Sequence, residues 1–556
     1  MKFLIFLANT LILIQPYAKT LAPFLASFAL LAATQSEQKQ GFWLRLGLLS
    51  LFICIGTWGA FNWVVQQSFA GQVDKFPTFD LLLAAIYSAA GAAVYFVWLR
   101  EGQPWWDARA QAMTKKSSLE RNKKTDVREI AKFLPSPTEQ YNPSNYFDIK
   151  KGIFVGLDEA RKPVYIKKSV FDESHILLSG RTRAGKGVGA QVILTQAIQQ
   201  GDATLILDPK GDRWAPYIFQ NFCKKFNKKY RFIILNQSHG HQINPVTGAT
   251  EEEIENIFIS GYGIDEKGDI ADFYRLADRA AARECAQWMA NNPNSTFASA
   301  LNALGQNWIE EAKSFHSYMT EMASLPSVNA IDGLNLEDFV KEGGCLYVVG
   351  DMSNSRILRA QRMILLRLML IAKNRIITPE SRIITAFADE FKCHISRPFI
   401  TTLGAAAGWG MHCILAFQSF SDLEDMPKDL DKNAVKGAVI ENTAISISYA
   451  IKDPVTADFI SDMSGEILVD VEVRRVTKNA ALAETVDNDR QIRQGERNLF
   501  DRNMVMNMPK ETAIFSVAGE LTKSIHICKL LVEKDPEALK IIEVLGDSII
   551  SAAELI

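Results

Sequence analysis

The sequence has no cysteine framework. Its seven cysteines include no Cys-x-x-Cys pair, and their odd number leaves one thiol outside any set of disulfides. Structural zinc sites and small disulfide-stapled domains both depend on such spacings. The pattern therefore argues against these two classes, and the cysteine usage is typical of a protein whose folded part lies in a reducing cytosol.

The sequence also lacks an excess of charge of either sign. Its 61 basic and 63 acidic residues give a net charge of −2, so no basic field covers the whole surface. Such a field is what draws nucleic acid to strongly basic proteins. A DNA partner would have to meet a local basic patch or a narrow pore. The most basic short run, Cys223 to Arg231, is either such a patch or a solvated helix end.

Charge is missing altogether from two long apolar runs near the N-terminus, Leu46–Val65 and Leu81–Leu99. Each is long enough to cross a hydrocarbon core of about 30 Å. Upstream, Phe3–Ala18 and Thr20–Ser36 are apolar but interrupted by a lysine and two prolines, which predicts either a tight hairpin or one kinked span. Basic residues are frequent after Leu99, which places residues 100–556 in the cytoplasm.

A glycine-rich loop dominates the rest of the chain. The apolar run Ile176–Leu178 leads into it, a helix-compatible segment, Val188–Gln199, follows, and the apolar run Ala203–Leu207 comes next. Strand, loop, helix and strand in this order are typical of a phosphate-binding P-loop, whose backbone N–H groups and helix N-terminus face the phosphates. The residues predicted to bind nucleotide are Gly180, Arg181, Thr182, Arg183, Ala184, Gly185, Lys186, Gly187 and Val188.

The loop departs from the usual P-loop pattern at one position. That pattern ends in a lysine followed by serine or threonine, whose hydroxyl holds Mg²⁺. Gly187 follows Lys186 here, so the residue that takes over this role is open.

Two later apolar strands end in polar side chains. The run Arg382–Ala388 ends at Asp389 and Glu390, and a further run, His412–Phe417, is followed by Gln418. A strand that ends in two carboxylates, downstream of a P-loop, predicts that Asp389 holds Mg²⁺ and that Glu390 accepts the proton of an attacking water. Gln418 is predicted to sense the γ-phosphate or orient that water. ATP and Mg²⁺ are the cofactors expected.

Alternating strands and helices, with strands apolar throughout, predict an α/β fold with a parallel sheet covered on both faces. Apolar residues at helical spacing from Glu251 to about Lys341 predict a helical insertion. The expected divisions are a transmembrane region, a stalk, the first part of a nucleotide-binding domain, an all-α insertion, the second part of that domain and a C-terminal helix, at residues 1–100, 101–150, 151–250, 251–341, 342–534 and 535–556.

With these motifs in place, nearly the whole chain resembles the type IV coupling proteins, the TraG/TraD-like ATPases of conjugation and type IV secretion, which are related to the FtsK and HerA DNA motors. The resemblance implies a RecA-like P-loop domain with an all-α insertion, behind N-terminal transmembrane helices. It also implies a multi-pass protein of the bacterial inner membrane that forms a homo-hexamer. Its partners would be single-stranded DNA in a relaxosome with its relaxase, the secretion channel proteins and their ATPases.

Relatives often carry an arginine, proposed to complete a neighbour's site, in a Gly-Arg-x-x-Gly stretch before the last of these strands. The corresponding stretch here, Gly404–Met411, has none, and Arg397 is the nearest basic residue. Three functions stay open: a coupling ATPase that delivers relaxosome DNA, one that exports protein effectors, and a nucleotide-bound receptor that does not hydrolyse.

Overall fold

The structure is a computed structural model that describes residues 2–35, 40–69, 81–113, 130–137, 139–237, 241–266, 272–424, 430–478 and 484–532. Its contacts divide the chain into two compact units. The first comprises Met1–Asn122 and Leu468–Glu496, and the second comprises Lys123–Ile467 and Arg497–Ile556. The predicted C-terminal helix at 535–556 and most of the basic segment that follows the apolar runs lie outside the described residues.

The N-terminal unit is built from long apolar helices. They are α1 (Lys2–Gln35), α2 (Gln40–Phe69), α3 (Leu81–Val97) and α4 (Gln103–Met113), with a π-helical turn at Trp98–Gly102 between the last two. The first helix runs unbroken through both of its prolines, so the alternative of a hairpin there is wrong. Helices α1 and α3 pack closely at Gly91, where a Cβ would lie 2.3 Å from the carbonyl oxygen of Phe24.

Two of these helical stretches are long and apolar enough to cross a membrane, Leu13–Thr34 and Leu81–Arg109. The second contains the predicted run Leu81–Leu99. The predicted run Leu46–Val65 lies within α2, where the apolar stretch found among the described residues, Gln40–Ile55, is shorter than a span. Length and composition therefore support two candidate spans, one at the predicted run Leu81–Leu99 and one in the upstream stretch where one kinked span was the alternative to a hairpin.

The second unit carries most of the strands. The strands of the chain are β1 (Ile153–Leu157), β2 (Pro163–Ile166), β3 (Ile176–Ser179), β4 (Ala203–Asp208), β5 (Tyr230–Ile234), β6 (Gly344–Val349), β7 (Ile384–Ala388), β8 (Met411–Phe417), β9 (Ile445–Ser448), β10 (Glu466–Lys478), β11 (Glu484–Asn498), β12 (Thr512–Val517) and β13 (Lys523–His526). Its α-helices are α5 (Lys168–Asp172), α6 (Lys186–Gln200), α7 (Ala215–Lys225), α8 (Glu251–Tyr262), α9 (Asp272–Asn291), α10 (Phe297–Trp308), α11 (Lys313–Ala323), α12 (Leu336–Glu342), α13 (Ser355–Asn374), α14 (Arg397–Ala406), α15 (Lys432–Asn442), α16 (Pro454–Met463) and α17 (Arg502–Met506).

Eleven of the strands form one sheet in the order β2-β1-β13-β12-β9-β3-β8-β7-β4-β6-β5. The seven strands from β9 to β5 are parallel, as predicted. The four strands at the other end pair antiparallel; the two runs around Ile153 and Val164 predict the hairpin of β1 and β2, whereas the pairing of β12 and β13 had not been predicted. Strands β10 and β11 form a separate two-stranded sheet that also had not been predicted.

Both faces of the parallel part are buried. Successive side chains of a strand point to opposite faces, and in β3 Ile176 and Leu178 enter one apolar core while Leu177 enters the other. Helices α6 and α7 contribute to the first core, and α13 and α14 to the second. The continuous apolar runs of the sequence therefore correspond to strands covered on both sides, as expected of a doubly covered parallel sheet.

Five helices, α8 to α12, lie between β5 and β6 in the stretch predicted to be helical. Thr250 and Thr296 begin α8 and α10 with capping boxes, and Asn335 accepts backbone hydrogen bonds at the start of α12. This segment, residues 251–342, contains 17 acidic and 6 basic residues, so it is strongly negative although the whole chain is nearly neutral.

Candidate nucleotide site

The glycine-rich loop follows β3 and ends where Lys186 begins α6. Gly180 and Gly185 have φ angles of +145° and +130°. A Cβ at either glycine would approach Tyr449, to 2.7 Å and 2.9 Å. A side chain is thus disfavoured at both positions by backbone conformation and by space. The loop owes its shape to these glycines and to the buried residue Tyr449 that lies against them.

Backbone hydrogen bonds attach the loop to distant parts of the chain. The N–H of Arg181 donates to the carbonyl of Ala450 over 2.9 Å, and the N–H of Glu511 donates to the carbonyl of Ala184 over 2.8 Å. The loop is therefore held from both sides by segments that follow β9 and precede β12.

Lys186 folds back onto this loop. Its Nζ donates to the carbonyl oxygens of Gly180, over 2.6 Å, and Phe417, over 3.1 Å. Burial disfavours the charged ammonium and lowers the pKa of Lys186 to about 8. A phosphate would offer this ammonium a charged partner in place of two neutral carbonyls.

A second loop, after β4, is shaped by Asp208. The carboxylate of Asp208 accepts backbone hydrogen bonds from Lys210, Gly211 and Asp212, and also the hydroxyl hydrogen of Tyr347 over 2.7 Å. Burial nevertheless raises the pKa of Asp208 above its ordinary value. This network fixes the backbone of the loop and directs Lys210 towards the end of β7.

Asp389 and Glu390 come directly after β7. Glu390 has a φ of +45°, a strained backbone conformation for a residue with a side chain, and its side chain is 1% exposed. Nζ of Lys210 lies 3.4 Å from Oδ2 of Asp389 and forms a closer ion pair with Oε1 of Glu390. Burial alone would raise the pKa of Glu390, but Lys210, Gln418 and Lys186 together outweigh burial and lower it. The pKa of Asp389 is raised, chiefly by burial.

Gln418 connects the glycine-rich loop with Glu390. Its Nε2 donates to Oε1 of Glu390 over 3.1 Å, and its Oε1 accepts from Oγ1 of Thr182 over 3.3 Å. Its own N–H donates to Asp422 over 2.8 Å. The amide group is therefore oriented at both ends, which also assigns its oxygen and nitrogen.

These groups meet because β3, β8, β7 and β4 are adjacent and parallel, so their carboxyl ends lie at one edge of the sheet. A cavity of about 690 Å³ opens at this edge. Eight of the predicted residues line it: Arg181, Thr182, Arg183, Gly185, Lys186, Gly187, Val188 and Asp389. The other four predicted residues do not line the cavity but contact residues that do; they are Gly180, Ala184, Glu390 and Gln418.

Several residues of the cavity had not been predicted. They include Asp208, Lys210, Tyr347, Lys510, Glu511 and Lys529. The Asp-Pro-Lys-Gly-Asp run after β4 was a visible signal for the first two. Nothing in the sequence pointed to Lys510, Glu511 and Lys529, because they reach the site only through the pairing of β12 and β13.

The donor set at the cavity suits a magnesium–nucleotide complex better than a metal alone. Among the residues that the structure describes, no three His, Cys, Asp or Glu side chains are grouped closely enough to hold a metal. Mg²⁺ usually takes one or two carboxylates and completes its shell with water and substrate phosphates. Asp389 supplies one carboxylate, and Oε2 of Glu390 is buried without a hydrogen-bond partner in the described structure. A Cβ at Gly187 would meet no atom within 4 Å.

The basic run Cys223–Arg231 is partly structural. Lys229 pairs with Glu342 over 2.7 Å, and the buried Arg231 donates to the same carboxylate and to the carbonyl of Gly343. These two cations hold β5 to the end of α12. Both side chains therefore already bind partners within the protein, which weakens the interpretation of the run as a patch that binds single-stranded DNA.

A lysine-bearing glycine loop between β3 and α6, beside carboxylates at the end of a neighbouring parallel strand, defines a P-loop protein of the RecA-like class. Within that class, the family model described as "Type IV secretory system Conjugative DNA transfer" matches residues 111–259 and 310–537. The chain belongs to this family of conjugative coupling proteins, which confirms the resemblance stated above.

Individual relatives are more distant. "Mobilization protein A" of Escherichia coli is 24% identical over 328 residues, which cover 58% of this chain and 60% of that protein. The chain thus spans less than two thirds of that relative's length. The unbound conjugative coupling protein TrwBdeltaN70 has a TM-score of 0.51 at 16% identity, with 73% of this chain and 95% of that chain covered. TrwB in complex with ADP and Mg²⁺ has a TM-score of 0.50 at 15% identity, with 76% and 98% covered. At these identities the structural matches support the fold.

Proposed function

We propose that the protein is the coupling ATPase of a conjugative type IV secretion system, which recruits relaxosome DNA and drives its delivery to the transfer channel by ATP hydrolysis. The observation that carries this proposal is the meeting of Lys186, Asp389, Glu390 and Gln418 at one sheet edge in a member of the conjugative DNA transfer family. A protein that bound nucleotide without hydrolysing it would not need the buried carboxylate of Glu390 hydrogen-bonded to the amide of Gln418.

The cofactors in this proposal are ATP and Mg²⁺. The loop from Gly180 to Val188 would surround the phosphates, and Lys186 would exchange its carbonyl partners for phosphate oxygens. Asp389 would be the protein's ligand to Mg²⁺, whose chemical contribution is to neutralise developing charge on the phosphates. The complex of TrwB with ADP and Mg²⁺ supports this choice of ligands by similarity of fold.

Glu390 would act as the general base. Without nucleotide its contacts with Lys210 and Gln418 keep it ionised, and the ionised state is the one that accepts a proton from water. Gln418 is hydrogen-bonded to Thr182 in the loop and to Glu390, so it would couple the conformation of the loop to the position of the base. The rate of hydrolysis would then depend on whether the loop holds nucleotide.

The cellular setting follows from the family and from the apolar helices. Two candidate spans support a membrane-anchored protein. We place it as a multi-pass protein in the bacterial inner membrane, with the sheet-containing unit in the cytoplasm, where ATP and the relaxosome are found. A homo-hexamer, the relaxase with its single-stranded DNA, and the channel proteins and ATPases of the secretion system are the partners that this function requires.

One observation favours protein cargo as the second candidate. The segment between β5 and β6 contains the 17 acidic and 6 basic residues counted above, and such an excess of negative charge repels the phosphates of bare DNA. A basic protein surface, such as that of a DNA-processing enzyme or an exported effector, would fit it better. The same ATPase would then pull on a protein, with or without attached DNA.

The test is ATP turnover by the full chain in detergent, with and without single-stranded DNA, beside Lys186→Ala and Glu390→Gln. We expect DNA-stimulated turnover that Lys186→Ala loses together with nucleotide binding. Glu390→Gln should lose turnover by at least about a hundredfold while still binding nucleotide, because only the proton acceptor is removed. Glu424→Gln, outside the site, is the matched control. Nucleotide binding without turnover in any condition would instead indicate a non-hydrolysing receptor.

A further inference from the structure

Lys210 occupies an unusual position in the candidate site. Its ammonium lies between two consecutive carboxylates, in contact with Oδ2 of Asp389 and Oε1 of Glu390. Asp389 is the predicted metal ligand, so a side-chain cation is present where the charge of a metal would otherwise balance these groups.

The surroundings of Lys210 allow its ammonium to move while its backbone stays in place. Asp208 accepts the N–H groups of Lys210 and Gly211, which fixes the main chain. The Lys210 side chain is 39% exposed, whereas that of Glu390 is 1% exposed. The long lysine stem can therefore rotate about a fixed point, and the carboxylate that it contacts cannot follow.

The cavity offers the ammonium of Lys210 a second position, away from the two carboxylates. Lys210 lines it together with Lys186 and Arg183, the residues on the phosphate side of the site. Lys186 is likewise turned onto internal partners, the carbonyls of Gly180 and Phe417. Lys186 and Lys210 thus both have protein partners, which phosphate oxygens can replace.

We propose, resting on the function proposed above, that Lys210 is an internal counter-cation of the metal site. Its ammonium neutralises Asp389 and Glu390 until a nucleotide supplies phosphate oxygens that compete for it. Two cations near the same carboxylates repel each other, so the nucleotide-free protein binds divalent metal weakly. Metal therefore enters together with the nucleotide, and the displaced ammonium becomes a further cation on the phosphates.

An ordinary stabilising ion pair would look the same in a static structure but would behave differently on substitution. Loss of such a pair lowers the thermal stability and leaves metal affinity unchanged. Loss of a counter-cation frees two carboxylates for metal. Metal binding to the nucleotide-free protein therefore separates the two roles, and it requires no turnover.

The experiment titrates Mn²⁺ into full-length, nucleotide-free protein in detergent and follows free Mn²⁺ by electron paramagnetic resonance. We expect Lys210→Gln to bind Mn²⁺ at least about tenfold more tightly than wild type, the scale on which neighbouring groups tune metal affinity. Lys210→Arg, which keeps the charge, should stay close to wild type. Lys229→Gln, which removes a lysine from an ion pair remote from the cavity, is the matched control. Asp389→Asn combined with Lys210→Gln should abolish the gain.

Equal Mn²⁺ affinity in wild type and Lys210→Gln would overturn the inference, as would tight, Asp389-dependent binding in wild type. Should Lys210→Gln fail to fold, Lys210→Met tests the same loss of charge with a similar stem. The outcome is distinguishable from failure of the proposed function. A protein without ATP turnover can still bind Mn²⁺ more tightly after Lys210→Gln, and a protein with turnover can show no change in Mn²⁺ affinity.

Discussion

Gln418 donates a hydrogen bond from its Nε2 to Oε1 of Glu390, over 3.1 Å, and accepts one from Thr182 of the glycine-rich loop, over 3.3 Å. The two residues follow different strands, β8 and β7, and are 28 positions apart in the chain. Through this one amide, the residue predicted to act as base is connected to the loop predicted to hold phosphate.

Replacing Gln418 by alanine removes both hydrogen bonds and leaves Glu390 with Lys210 alone. We expect turnover to fall by about a hundredfold, in the range found when one oriented polar group is lost from an active site. Nucleotide affinity should change by less than about threefold, since Gln418 is not among the residues that line the cavity. Steady-state turnover and equilibrium binding of a fluorescent ATP analogue measure the two effects. A parallel loss of affinity would place Gln418 in binding rather than in catalysis.

The depressed pKa of Lys186, about 8, predicts a pH dependence of nucleotide binding. A bound phosphate favours the charged ammonium, so the complex holds a proton that the free protein loses as the pH rises above 8. Affinity should therefore be constant below this value and should fall between pH 8 and 10. Calorimetry at pH 8 in two buffers of different ionisation enthalpy should find an uptake of about half a proton per nucleotide. No uptake, with affinity flat to pH 10, would contradict the assignment of Lys186 to the phosphates.

Gly187 has room for the hydroxyl that the usual P-loop pattern carries. A Cβ there would meet no atom within 4 Å, and its φ is not positive. Gly187→Ser should leave the protein as stable as wild type or more stable by roughly 0.5 kcal/mol, and it should steepen the Mg²⁺ dependence of nucleotide affinity. Gly180→Ser is the contrasting variant. Its φ of +145° and the contact with Tyr449 predict a loss of about 2 kcal/mol. Chemical denaturation and nucleotide titration at several Mg²⁺ concentrations test both.

Tyr449 supports the loop by packing and not by a hydrogen bond. Its Cβ lies against Gly180, its ring against Gly185 and its hydroxyl end against Gly189, and the buried hydroxyl has no hydrogen-bond partner within the described residues. Tyr449→Phe should therefore be neutral or stabilise the fold by about 1 kcal/mol, because an unpaired buried polar group is removed. Tyr449→Ala should destabilise it by about 3 kcal/mol or more. Thermal unfolding gives the two values, and a costly Tyr449→Phe would contradict this account.

Much of the nucleotide-binding unit could be predicted because its strands carry local signals. The runs that begin at Ile176, Ala203, Ile384 and His412 are mostly apolar, and polar residues follow each of them directly. In a parallel sheet the carboxyl ends of the strands share one edge, so the sequence alone brought Lys186, Asp389 and Gln418 to the same region. The family match then confirmed the class of protein. The roles given to the individual site residues remain predictions.

Other features depended on contacts between distant parts of the chain. The antiparallel strands β12 and β13 are short and carry no distinctive motif, so neither their pairing nor the arrival of Lys510 and Lys529 at the cavity could be predicted. Lys210 was visible in the sequence, but its ion pairs with Asp389 and Glu390 depend on β4 and β7 being neighbours. For α1 the sequence left a hairpin and one kinked span open, because two prolines interrupt its apolar residues, and the structure shows one unbroken helix.

The attachment of the glycine-rich loop to Ala450 and Glu511 has a consequence for how the protein is made. Ala184 is synthesised 327 residues before the N–H of Glu511 that bonds to its carbonyl. At 5–20 residues per second, roughly 15 to 65 seconds separate the two events on the ribosome. Both neighbours of β3, β8 and β9, also emerge late, so this strand waits unpaired through the synthesis of the whole helical segment. A ligand of the loop can therefore stabilise the finished chain but cannot guide the nascent one.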